Sequence, residues 1–252
     1  MLKTIAAAAL MSAAAVPAFA AETKPMQPDA MGANAMSAPD AMGGDAMAAP
    51  GMMMGGKVVQ ITIQNLLTGQ PFSPSFFESR AKDGAPLFKL GGKADDSLVA
   101  VAEGGNIGNY SVGAAKDMGQ ALGDAVLAIH ALPGQSRTVT IHVDEKHPVV
   151  DGVWMLGNTN DGFSGFTGFD AYDLTMPMTL EVRGYDAGSE KNSEKKGYLG
   201  ALGGGNMRDP ENGVITYHAG IRGDADAPKD WNWDVSKPVA KITITPVMTA
   251  GG

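Results

Sequence analysis

Short runs of alternating apolar and polar residues, each closed by Gly, Pro, Asn or Asp, limit the folds open to this chain more than any other feature. Thr138-Val139-Thr140-Ile141-His142-Val143 and Met178-Thr179-Leu180-Glu181-Val182-Arg183 have the period of a half-buried strand. Val58, Val59, Ile61 and Ile63 predict a strand from Lys57, ended by Leu67-Thr68-Gly69-Gln70-Pro71. A second strand is expected around residues 76–79, a fully buried one over 149–156, a short one at 214–217 and a closing one over 239–247. Residues 95–132 differ. Asp95 or Asp96 can cap a helix through Leu98, Val99, Val101 and Ala102, stopped by Gly104-Gly105. A second, Gly-broken helical stretch covers 112–122, and this whole region is expected to lie on the sheet surface as an excursion. About seven short strands without regular interleaved helices predict an all-β, antiparallel β-sandwich.

Residues 1–20 have the form of a secretory signal. Lys3 is followed by an Ala-rich apolar run from Ile5 to Val16, then Pro17 and the small-x-small end Ala18-Phe19-Ala20. The run is too short to span a bilayer, and nothing downstream is longer. Export to the periplasm or the outside is therefore expected, with no lipid anchor because no Cys stands near the cleavage site. The chain has no Cys at all, so neither disulfides nor thiolate metal sites are open to it. A net charge of −8 argues against nucleic acid and anionic membranes as partners.

Residues 21–56 are of low complexity and repeat Asp-Ala-Met at Asp29, Asp40 and Asp45. With Thr23 the only β-branched residue and no aromatic, this arm is expected to be a disordered tether. Repeated thioethers are also soft ligands for Cu(I) and targets of oxidants. That gives an alternative function, a periplasmic copper- or oxidant-handling protein acting through the arm.

Two oxygen-rich segments flank the 178–183 strand. The first carries Asn158, Asn160 and Asp161, the second Asp186, Glu190, Asn192 and Glu194. The strand is expected to carry the second back to the first at one end of a sheet. Carboxylates that converge repel one another unless a hard cation lies between them, and calcium takes six to eight oxygens in flexible geometry. The other reading is a pair of solvated turns, with Asp and Asn at bends and Gly supplying positive φ. No EF-hand spacing is present. His130, His142, His147 and His218 lack the spacing of a zinc site. No Gly-x-Ser-x-Gly elbow exists, and Gly203–Gly205 lacks the Lys-Ser/Thr of a phosphate loop, so no enzyme is expected. Trp231 and Trp233 could form an aromatic contact patch, but the commoner role of such a pair is to cover the core edge beneath a loop.

Three motifs in order carry a resemblance. Ile61-Thr62-Ile63-Gln64-Asn65-Leu66 with Gly69-Gln70-Pro71-Phe72-Ser73-Pro74 is similar to the opening of bacterial spondin-domain proteins. Asn158-Thr159-Asn160-Asp161-Gly162-Phe163-Ser164-Gly165 resembles their second signature, and Tyr185-Asp186-Ala187-Gly188-Ser189-Glu190 their Asp-Ala-Gly segment. The resemblance covers residues 57–249 and implies a C2-like β-sandwich with a calcium site. Carried over by motif, its ligands are Asp161, Asp186 and Glu190. It departs from the family at Glu190, which stands where the family has Asp, and in lacking the disulfides of the animal domain. The expectation is a calcium-binding, adhesion-like module over 57–252, with a protein or glycan ligand at the cell envelope. The calcium affinity of extracellular modules is on the order of 10⁻⁴–10⁻³ M.

Overall fold

The computed structural model describes residues 56–117, 122–205 and 207–247. The expected export signal, and the Met-rich arm except Gly56, lie outside the described residues. The strands are β1 (Lys57–Asn65), β2 (Ser75–Arg80), β3 (Leu122–Ala128), β4 (Ser136–Val143), β5 (Val149–Met155), β6 (Gly162–Asp170), β7 (Met178–Val182), β8 (Gly184–Asp186), β9 (Thr216–Tyr217) and β10 (Ala240–Val247). They form two antiparallel sheets, ordered β4-β1-β10-β7 and β3-β2-β5-β6-β8-β9. The protein is an all-β sandwich. Among the described residues no helix is long and apolar enough to cross a membrane.

The alternation of β1 places Val59, Ile61 and Ile63 inward. They join Ile141 and Val143 of β4 and Ile242 and Ile244 of β10 against Phe77, Val150, Trp154 and Phe166 of the facing sheet. Trp154 is fully buried, with its ring 5.7 Å from Phe72 and 6.4 Å from Phe77. Removing such a side chain typically costs about 3–5 kcal/mol, a large part of a domain's net ~5–15 kcal/mol. Packing of this kind holds a sandwich that has no disulfide.

The six-stranded sheet is covered on its outer face as well. Leu98, Val101 and Ala102 of α1 (Asp96–Gly104) and Ala114 of α2 (Gly108–Asp117) pack on Phe76, Val153 and Phe163. Strands β2 and β5 are therefore buried on both sides, which encloses the polar Glu78, Arg80 and Asp151 along with their apolar residues. Asp95 caps α1 by accepting the Leu98 N–H at 2.8 Å, and Gly105 ends it at φ +63°. Two expectations are corrected. Residues 122–128 are an edge strand of the sheet, not a surface excursion. Residues 162–170, over which the sequence predicts no strand, form β6, whose first five residues are buried. The short apolar stretch at 214–217 yields only the two-residue β9.

Asp151 lies opposite a bulge in β6, where two residues of β6 face one of β5. It accepts the Gly168 N–H at 2.6 Å and the Leu87 N–H at 3.2 Å, and it is held by the Arg80 guanidinium at 2.8 Å. This buried pair has its hydrogen bonds made, the condition under which a charge tolerates the interior. Glu78 sits directly across from Asp151 and is also buried. Burial pushes its carboxyl up to about 7, aided by the charges of Asp151 and Asp117 and opposed by Arg80. A carboxyl that holds its proton more tightly when folded costs stability as pH rises. The cost is absent below its ordinary value of 4.5, grows from there and is complete above about 7. Glu78→Gln should therefore match the parent at pH 4.5 and exceed it by on the order of 3 kcal/mol at pH 8, measured by urea unfolding across that range.

Candidate metal centre

The first acidic turn is fixed by its own hydroxyl and by the turn after β1. Thr159 Oγ1 donates to the Leu156 carbonyl at 2.6 Å and accepts the Gly162 N–H at 2.9 Å. A Cβ on Gly162 would stand 2.4 Å from that oxygen, so the turn requires glycine there. Asn158 Nδ2 donates to the Gly69 carbonyl at 2.8 Å, and the Asn158 N–H donates to Gln70 Oε1 at 3.0 Å. Asn65 Nδ2 in turn donates to the carbonyls of Gln70 and Ala131. The Gln-Asn-Leu-Leu-Thr-Gly-Gln segment is thus the support on which the acidic turn rests.

Pairing of β6 with β8 sets Gly162 opposite Asp186 and brings the second acidic segment alongside the first. This corrects the expected route. Strand β7 lies at the edge of the other sheet and does not carry one loop to the other. Beyond β8, the Ala187 N–H donates to the Asp161 carbonyl at 3.1 Å. Gly188 turns the chain at φ +70°, where a Cβ would stand 2.7 Å from the Val214 nitrogen. Its N–H donates to Asp186 Oδ1 at 2.7 Å.

Asp161 is completely buried. Its Oδ2 accepts the Ser189 N–H at 2.8 Å, the Glu190 N–H at 3.0 Å and the Ser189 hydroxyl at 3.2 Å. Its Oδ1 has no partner. Asp186 Oδ2 accepts from Asn192 Nδ2. Glu190 is buried, with Oε1 3.1 Å from Arg208 Nε. The three residues expected to act together are therefore brought to one region, but not to one point. Among the described residues no three His, Asp or Glu side chains already form a metal-ligand group. Glu194 turns away and accepts the N–H groups of Arg222, Gly223 and Asp224. Asn160, expected to be a turn former, accepts the Ser193 N–H at 2.8 Å and donates to the Tyr198 carbonyl, tying the two segments together.

The region carries excess negative charge in poor solvent. Burial pushes Asp161 up to about 6, and the like charge of Asp186 adds to it. Burial pushes Glu190 to about 7, with Glu103, Asp161 and Asp209 adding and Arg208 opposing. Such a set suits a hard cation. Asp161 has a buried oxygen unspoken for, and Asp186 supplies a second carboxylate, while Glu190 is drawn towards Arg208.

Sequence reasoning did not find Arg208, Glu103 or His218. Arg208 clamps Glu103 at the end of α1 through Nε and Nη2, a contact across 105 positions that no local pattern signals. His218 is buried, with its ring 5.2 Å from that of Trp233 and tilted by 39° to it. Its Nδ1 accepts the Gly220 N–H at 2.8 Å, which leaves the proton on Nε2, where it has no partner. Burial pushes this imidazole down to about 4 against the pull of Asp186 and Glu194. Of the other histidines, His142 meets Asp124 and His147 meets Asp144. Trp231 and Trp233 pack on Leu199, Ile221 and Ala227, and Trp233 also packs against the main core.

No family model matches the chain, and no curated protein matches it.

Asp161→Ala should destabilise the domain by about 2–4 kcal/mol in urea unfolding, because the donors of Ser189 and Glu190 lose their acceptor. Asp161→Asn keeps a carbonyl oxygen for them and should cost less than about 1 kcal/mol.

Proposed function

We propose that this chain is an exported binding module of spondin type, a C2-like sandwich whose rim takes a calcium ion and whose partner is a protein or glycan at the cell envelope. One observation carries the calcium reading: the fully buried Asp161 carboxylate has one oxygen with three donors and the other with none, beside Asp186. A native structure seldom leaves a buried charged oxygen unpartnered without use for it. Asp161 and Asp186 would be the inner ligands, Glu190 a third, with carbonyls and water completing the shell. The ion would supply positive charge where burial and mutual repulsion disfavour the carboxylates. The order of the three motifs along the chain and the two-sheet architecture support the spondin reading.

Calcium in this role fixes the rim and does not drive a reaction. It joins the turn before β6 to the turn after β8, presenting both in one arrangement to a partner. Calcium at ten to a hundred times its dissociation constant should stabilise the protein by about 1.4–2.7 kcal/mol. Thermal unfolding in millimolar calcium against chelator should show a rise of several degrees, lost in Asp161→Asn and Asp186→Asn. An unchanged melting temperature, with no heat of binding, would remove the calcium reading. Capture of envelope protein or glycan by the immobilised domain, in calcium and in chelator, tests the partner class.

A further inference from the structure

Arg208 brings a positive charge to the edge of the acidic rim. It leaves a Gly-rich loop, is half-exposed, and reaches Glu190 with Nε at 3.1 Å. That N–H is already directed at Glu103 Oε2 at 2.6 Å, and Nη2 is directed at Glu103 Oε1. Glu190 thus receives the charge of the guanidinium without a hydrogen bond of its own. The fork is anchored on α1 and touches the acidic rim with its side. Asp161 also acts on Arg208, so its positive charge reaches the inner carboxylate as well.

We propose that Arg208 is a tethered competitor for the divalent cation: it holds Glu190 away from Asp161 and Asp186, and the incoming ion must take Glu190 from it. This rests on the calcium reading above and assigns that site its regulation. Two observations beyond the clustering of acids support it. The unpartnered, fully buried Asp161 Oδ1 marks a ligand position, and the Glu103 clamp gives Arg208 a place to remain when Glu190 leaves. The exchange strands neither charge. Glu190 moves to the ion, and the guanidinium keeps its bidentate partner. The loop that carries Arg208 also bonds to the acidic segment, Lys191 N–H to the Asp209 carbonyl at 2.9 Å and Glu211 N–H to the Ser189 carbonyl at 2.8 Å. Ion binding is thereby coupled to the setting of residues 207–213. A weak site with its own competitor responds to changes in extracellular calcium and ignores lower concentrations.

The test is a calcium titration by calorimetry on the parent, Arg208→Gln, Arg208→Lys and Asp161→Asn, each first shown to unfold cooperatively in chelator. Arg208→Gln should bind calcium about three- to tenfold more tightly, the span expected for removing one partly exposed charge beside the site. Arg208→Lys keeps the charge and should stay near the parent. Equal or weaker binding by Arg208→Gln, with the parent binding calcium normally, overturns the competitor role and leaves the site standing. Absence of binding in the parent and in Arg208→Gln alike overturns both.

Discussion

Asp161 gives one carboxylate oxygen to three donors from Ser189 and Glu190 and none to the other. That asymmetry joins two segments that are about thirty positions apart and sets the chemistry of the rim. The backbone reinforces it, with Asp161 O accepting from Ala187 N–H and Gly162 paired to Asp186. Without the carboxylate, the turn after β8 would present two backbone N–H groups to a dry interior. With it, the turn is fastened, but a negative charge is held where solvent cannot screen it. The surrounding features answer this charge: Asn192 on Asp186, and Arg208 beside Glu190.

The support of this rim is spread over the chain. Gln70 reaches Asn158, Asn65 reaches Gln70, and Asn160 reaches Ser193 and Tyr198. These are buried amides, each making bonds to backbone groups of loops that have no ladder of their own. A sandwich without disulfides must fix its loops in some such way, and here side-chain amides do it. The same device recurs at Asp151, which satisfies the bulge of β6 and the segment at Leu87 together.

Much of the fold was legible because half-buried antiparallel strands alternate. β1, β4, β7 and β10 carry that signal plainly, and the capped helix α1 carries its own. β6 was not legible. Its Gly162 and Gly165 leave room for Thr159 and the Gly152 carbonyl, and Gly168 takes a positive φ at the bulge, so the pattern looks like a turn. β3 was missed because its middle residues are mostly half-buried and the element before it is helical. At the site, the three acids were legible as loop carboxylates, and the motif order pointed to their meeting. The contacts of Arg208 with Glu190 and Glu103 beside them were not, because no spacing rule connects these residues. The roles of Asn158 and Asn160 in joining loops were hidden for the same reason.

The register of β1 has one further result. Val58 stands opposite Val247 and Asn65 opposite Ala240, so the first and last described strands begin and end at the same pole. Asn65 leads at once to Gln70 and Asn158, which places the acidic rim at the other pole, roughly 27 Å away along eight residues of strand. Whatever is joined before Lys57 or after Val247 therefore attaches behind the rim.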